Sequence, residues 1–129
     1  MRTKVLIGTM LLAGALGAST LAAFAPAKQA MALHFLRPTI VAGAAIMGPV
    51  VFEHDDEKMA RGEPCTTVYR YDHKQQDRGE VIVQFMCTPH ERPVATKFEA
   101  ICDRGAGTGP DRLLEYQFPG ETEGHGVPQ

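Results

Sequence analysis

The chain has 129 residues, with 13 Lys and Arg against 15 Asp and Glu, for a formal net charge of −2. The basic residues are scattered among acids, which excludes the clustered positive surface that a phosphate backbone requires, so no nucleic acid is expected as a partner. The length allows one domain with a modest core.

The first residues read as an export signal over 1–32. Arg2 and Lys4 precede an apolar run from Val5 to Phe24, and Ala30 and Ala32 supply a small-residue cleavage site. An earlier pair, Ala23 and Ala25, stands just before Pro26. The expected location is secreted or periplasmic, with Met31 as an alternative start. The apolar run is also long enough for an uncleaved anchor, which needs about 20 residues. Removing 32 residues from 129 leaves 97, carrying ten basic and fifteen acidic side chains.

Residues 33–52, "LHFLRPTIVAGAAIMGPVVF", form an apolar arm that is free of charge from Pro38 onward. Gly43, Gly48 and Pro49 interrupt it, leaving Val50–Phe52 as a short first strand. Packing on its own sheet is the simplest role for the arm. Self-association, or an unknown protein partner, is the alternative, and membrane association is less favoured.

Residues 53–118 read as an antiparallel β domain. A single helical turn is expected around Asp55–Arg61, stopped by Gly62 and Pro64. Four strands follow: "CTTVYRY", "EVIVQFMC", "ATKFEAICD" and "LLEYQFP", rich in β-branched and aromatic residues. The connections "DHKQQDRG", "TPHERPV" and "RGAGTGPDR" are polar and too short for crossover helices. The expected fold class is therefore mostly β, a small antiparallel meander or β-sandwich. The glycine loop lacks the G-K-[ST] ending of a phosphate cradle. Residues 119–129 have little to bury and are expected as a flexible C-terminal tail.

Strand alternation places Cys65, Thr67, Tyr69 and Tyr71 on one face, and Val81, Val83, Phe85 and Cys87 on another. Pairing Tyr71 with Val81 sets Tyr69 against Val83, Thr67 against Phe85 and Cys65 against Cys87. Directly opposed residues lie within disulfide range. A Cys65–Cys87 disulfide is the expected site feature, and closing such a loop stabilises a small domain by roughly 3 kcal/mol. Cys102 is then a buried free thiol.

The motif Cys87-Thr88-Pro89-His90 at a strand end resembles the ligand loop of the cupredoxins, small exported β-sandwich copper proteins that carry electrons. The resemblance covers about ten residues. It implies copper on Cys87 and His90, with His54 as the upstream histidine; the family's axial methionine has no counterpart, because no methionine follows Cys87. A zinc set of Cys65, Cys87, His90 and Cys102 is the other metal reading. A disulfide at Cys87 removes both, so no cofactor is expected. His54, His73 and His125 read as solvated loop histidines, and "EHDDE" follows no EF-hand pattern. G-x-S-x-G, H-E-x-x-H and C-x-x-C-H are absent, and no catalytic residue is nominated. The expectation is a non-catalytic structural or protein-binding module, with the copper-binding electron carrier on Cys87 and His90 as the alternative.

Overall fold

The structure is a computed structural model describing residues 28–129. The expected export signal, 1–32, lies outside the described residues apart from 28–32.

β1 (Lys28–Val41) and β2 (Ala44–Asp55) form a long hairpin. Its two turn residues, Ala42 and Gly43, have φ of 47° and 85°. Two positive values are what a two-residue primed turn requires. Pairing runs from Lys28 opposite Asp55 to Phe35 opposite Gly48, then resumes at Thr39 opposite Ile46. Leu36, Arg37 and Pro38 bulge out between, where Pro38 owes the ladder no N–H. The apolar arm is the body of this hairpin. Phe35, Val41, Ile46, Val50 and Phe52 are buried, while Leu36 and Met47 are 79% and 58% exposed. The hairpin begins before the expected cut: cleavage after Ala32 would remove Lys28–Ala32 from β1, whereas cleavage after Ala25 would spare the strand.

The helical turn stands where it was expected, as α1 (Asp56–Ala60). Asp55 caps it by accepting from the backbone N–H groups of Glu57 and Lys58 at 3.0 and 3.3 Å. Gly62, with φ of 71°, follows its end.

β3 (Thr66–Asp72) and β4 (Asp77–Phe85) form the next hairpin, in a register different from the one expected. Tyr71 faces Arg78, Tyr69 faces Val81, Val68 faces Val83 and Thr66 faces Phe85. The expectation placed "DHKQQDRG" wholly in the loop. Instead the Asp72 carboxylate accepts from the N–H groups of Lys74 and Gln75, tightening the turn. Asp77, Arg78 and Gly79 then belong to β4, an edge strand on which charge is tolerated. Two irregularities near Tyr69 recover most of the offset. Cys65 and Cys87 flank this ladder rather than pairing within it.

β5 (Thr88–Glu91), β6 (Glu99–Asp103), β7 (Asp111–Gln117) and β8 (Glu123–Gly126) complete a mostly β fold, an eight-stranded sheet. Two segments differ from expectation. The "TPHERPV" loop contributes β5, and the tail contributes β8, with His125 and Val127 buried. Each is short: β5 pairs with β8, Thr88 facing Gly126 and His90 facing Gly124, and β8 lies between β5 and β7. Neither segment has the alternation that would betray a strand alone. Pairing is antiparallel except where Thr39 and Ile40 run parallel to Asp111 and Arg112.

The strand order is β4-β3-β2-β1-β7-β8-β5, with β6 on the other edge of β7. β4 and β5 stand at opposite ends of that order, yet only Met86 and Cys87 separate them in the chain. The sheet must therefore curl until its two ends meet at Cys87. Phe52 fills the interior, 5.2 Å from the Tyr116 ring and 5.7 Å from Phe98. The buried Tyr116 and Thr66 hydroxyls bond each other. Among the described residues, no helix is long and apolar enough to cross a membrane.

The last strand is locked by an ion pair between the exposed Arg92 and the buried Glu115. Arg92 Nε donates to Glu115 at 2.9 Å, and its Nη2 closes a second bond. The pair holds the Glu115 carboxyl below its ordinary value, chiefly through the Arg92 hydrogen bond. A β-carbon on Gly124 would collide with that carboxylate and stand 3.0 Å from Arg92 Cγ. Gly124→Ala is accordingly expected to cost about 1–3 kcal/mol, the usual penalty for overpacking. Thermal unfolding would read it, and an unchanged midpoint would refute the lock.

Candidate metal centre

Where the curled ends meet, His54, Cys87 and His125 converge, all buried, with one donor atom from each within 4.8 Å of the others. His54 comes from the end of β2, two residues beyond Phe52 on the same face. Cys87 is the β4–β5 connection, and His125 lies at the centre of β8. There His125 is the cross-strand partner of Tyr116, and the two rings stack at 4.8 Å. Cys87 Sγ is 3.3 Å from His54 Nε2 and 3.6 Å from His125 Nδ1. Two donors sharing one tetrahedral ion, at about 2.3 Å for sulfur and 2.0–2.1 Å for nitrogen, would stand about 3.5 Å apart.

The far nitrogen of each imidazole faces a carboxylate. His54 Nδ1 is 3.2 Å from Asp56, which the first turn of α1 presents. His125 Nε2 is 3.7 Å from Glu121, too long for a hydrogen bond, and is buried without a partner. Gln29 in β1 holds Glu121 by donating to its other oxygen at 2.6 Å. His125 Nδ1 also has Glu123 at 3.7 Å. A proton on His54 Nδ1, fixed by Asp56, leaves the Nε2 lone pair aimed at Cys87.

Burial keeps the three groups uncharged near neutral pH. Desolvation, with help from Cys65, pushes the Cys87 thiol up to about 12. Desolvation lowers His54 against the pull of Asp56, and it lowers His125 to about 4 with added repulsion from His54. Neutral imidazoles are the form that binds metal, and a bound cation reverses the penalty on the thiolate.

Of the sequence-derived candidates, Cys65 and Cys87 meet. Their sulfurs lie 2.9 Å apart, both as free thiols, in contact and not bonded. His90 does not join them: it is exposed on β5, outside the cluster. Cys102 is a half-buried free thiol on β6, facing Leu113. His54 and His125, expected as solvated, are instead 4% and 2% exposed. Continuing the Val50, Phe52 alternation by one step would have turned His54 inward. His125, between glycines at the chain end, carries no such signal.

A surface groove of about 510 Å³ lies elsewhere, along Arg70–Lys74 and Gly79–Glu80. A cleft of about 240 Å³ lined by His90, Glu91 and Glu123 opens beside β5 and β8, and Glu123 belongs to the cluster's surroundings. No family model, curated protein or solved structure matches this chain.

Proposed function

We propose that this is an exported, non-catalytic binding domain whose ligand is a late first-row transition-metal ion, zinc or copper, held by His54, Cys87 and His125. The observation that carries the reading is the pairing of each imidazole: one nitrogen toward Cys87, the other toward a carboxylate. Carboxylates behind the histidines orient metal ligands and raise their basicity. A divalent ion with one thiolate leaves a single positive charge, which Asp56, Glu121 and Glu123 surround. Thiolate and imidazole donors favour copper and zinc over calcium or magnesium. Export is supported by the charged start and apolar run of residues 1–24.

Cobalt titration of the reduced full chain tests the ligand set. A thiolate-to-cobalt band and intense visible bands are expected, lost in Cys87→Ser and His125→Gln and kept in His90→Ala and Cys102→Ser. Asp56→Asn should weaken binding by about 10–100-fold. Binding should also release about one proton per ion at neutral pH, since the Cys87 thiol is protonated beforehand. A band that survives Cys87→Ser would reject the site.

The copper electron carrier is the second reading, favoured by the donor set itself. Two histidines and one cysteine are the trigonal set of blue-copper centres, with His125 in the place the sequence reading gave to His90. Copper titration that yields an intense visible thiolate band would select it over zinc.

A further inference from the structure

Cys65 has no place among the three converging donors, yet it touches the one that matters most. Its sulfur is 2.9 Å from Cys87 Sγ, and it accepts from the Cys87 backbone N–H at 3.2 Å. It is 1% exposed, against 7% for Cys87. The two thiols approach from the start of β3 and the end of β4, two chain segments already fixed side by side by the Thr66–Phe85 pair. Contact between a ligand thiol and a second thiol is not needed to hold a metal. It is what a reversible disulfide needs.

Resting on the metal reading above, we infer that Cys65 and Cys87 form a dithiol–disulfide couple that switches metal binding: the reduced pair leaves Cys87 free to ligate, and oxidation releases the ion. The co-reactant is a small-molecule or protein disulfide. Cys87, the more accessible sulfur, attacks it as the thiolate, forming a mixed disulfide and expelling one thiol. Cys65 then attacks Cys87 and expels the second. Two protein S–H bonds are lost and one S–S bond forms; two electrons reduce the co-reactant's S–S bond, and its two sulfurs leave as thiols with the two protons. The disulfide sulfur of Cys87 carries no negative charge, so the ion keeps only His54 and His125. Two imidazoles without the thiolate hold zinc poorly, and the expected loss of affinity is on the order of a hundredfold or more. Linkage requires the reverse effect as well. An ion on Cys87 must make the couple harder to oxidise.

The probe is zinc alone, bound to the reduced full chain and read by a chromophoric chelator, with oxidised glutathione as the co-reactant. Oxidation should lower the mass by two hydrogens, link the Cys65 and Cys87 peptides and release zinc. Reduction should restore binding, a readout on the unaltered chain that needs no variant. Saturating zinc should slow the linkage. Cys65→Ser and Cys65→Ala should bind zinc when reduced, and with the same oxidant should stop at the Cys87 mixed disulfide, gaining one glutathionyl group where the native chain loses two hydrogens. Linkage with zinc affinity unchanged would overturn the switch while leaving the metal site standing. Linkage of Cys87 to Cys102 would overturn the pairing. Failure of the reduced chain to bind zinc, with the 65–87 link still forming, would remove the metal site and the switch with it, leaving a structural disulfide.

Discussion

Phe52→Ala should cost about 3–5 kcal/mol and leave the domain close to unfolded at room temperature. Removing a buried phenylalanine forfeits its transfer energy and opens a cavity that neighbours fill only in part. Phe52 is fully buried, with the rings of Phe35, Phe98 and Tyr116 all within 6.2 Å. Domains of this size have only about 5–15 kcal/mol of net stability. At roughly 4–8 °C per kcal/mol the midpoint should fall by well over ten degrees. Phe52→Leu keeps most of the volume and should lose far less. A loss below about 1 kcal/mol for the alanine variant would mean that the curl is not closed around this ring. The effect should also reach the site, because Tyr116 touches Phe52 on one side and stacks on His125 on the other. The same core residue that anchors the sheet sets the plane of the imidazole.

How much of this was readable beforehand follows from which interactions are local. The strands at "CTTVYRY", "EVIVQFMC" and "LLEYQFP" were legible because half-buried alternation is written within each segment. The approach of Cys65 to Cys87 was also legible, though by a register that the tight Asp72 turn and two irregularities displace. β1 was hidden by a three-residue bulge at Leu36–Pro38, which breaks its period in the middle. β5 and β8 were hidden for another reason: each is four residues long and is held by other strands, β5 by β8, and β8 by β5 and β7. A strand with no local pattern leaves no trace until its partner is known. His125 shares that fate, since only the β7–β8 ladder brings it inward. Cys87 was recognisable as a ligand type, but its nearest sequence histidine, His90, points out from an exposed strand. The histidines that reach Cys87 come from 33 residues upstream and 38 downstream. Spacing along the chain was the wrong ruler for a site made by closing a sheet.

The second large effect is acid sensitivity of the metal-free, reduced protein, beginning well above the carboxylate range. His125 titrates near 6.5 when unfolded and is lowered to about 4 in the fold, mainly by desolvation and then by His54. Between those values the unfolded chain binds the proton and the folded chain refuses it. Stability therefore rises with pH across this window: it is fully present above 6.5 and is lost as the pH falls toward 4. At about 1.4 kcal/mol per pH unit, His125 alone accounts for roughly 3 kcal/mol. His54 is lowered as well, again by burial, with Asp56, Glu123 and Asp55 resisting. The carboxylates facing the pair act in opposite directions. Glu115 is held below its ordinary value by Arg92, so its contribution is lost only below about 4.5, whereas Glu121 is raised by burial and offsets part of the loss on protonation. The slope between pH 7 and 5 thus belongs to the histidines. Denaturant unfolding at stepped pH should show stability falling across this interval in the native sequence. In His125→Gln, which keeps a polar amide but cannot titrate, the slope should be clearly shallower. Saturating zinc should hold stability up until the ion itself is displaced by protons, at lower pH. An equal slope in the glutamine variant would place the acid sensitivity elsewhere in the sheet and deny that the closed end is sealed around an uncharged imidazole.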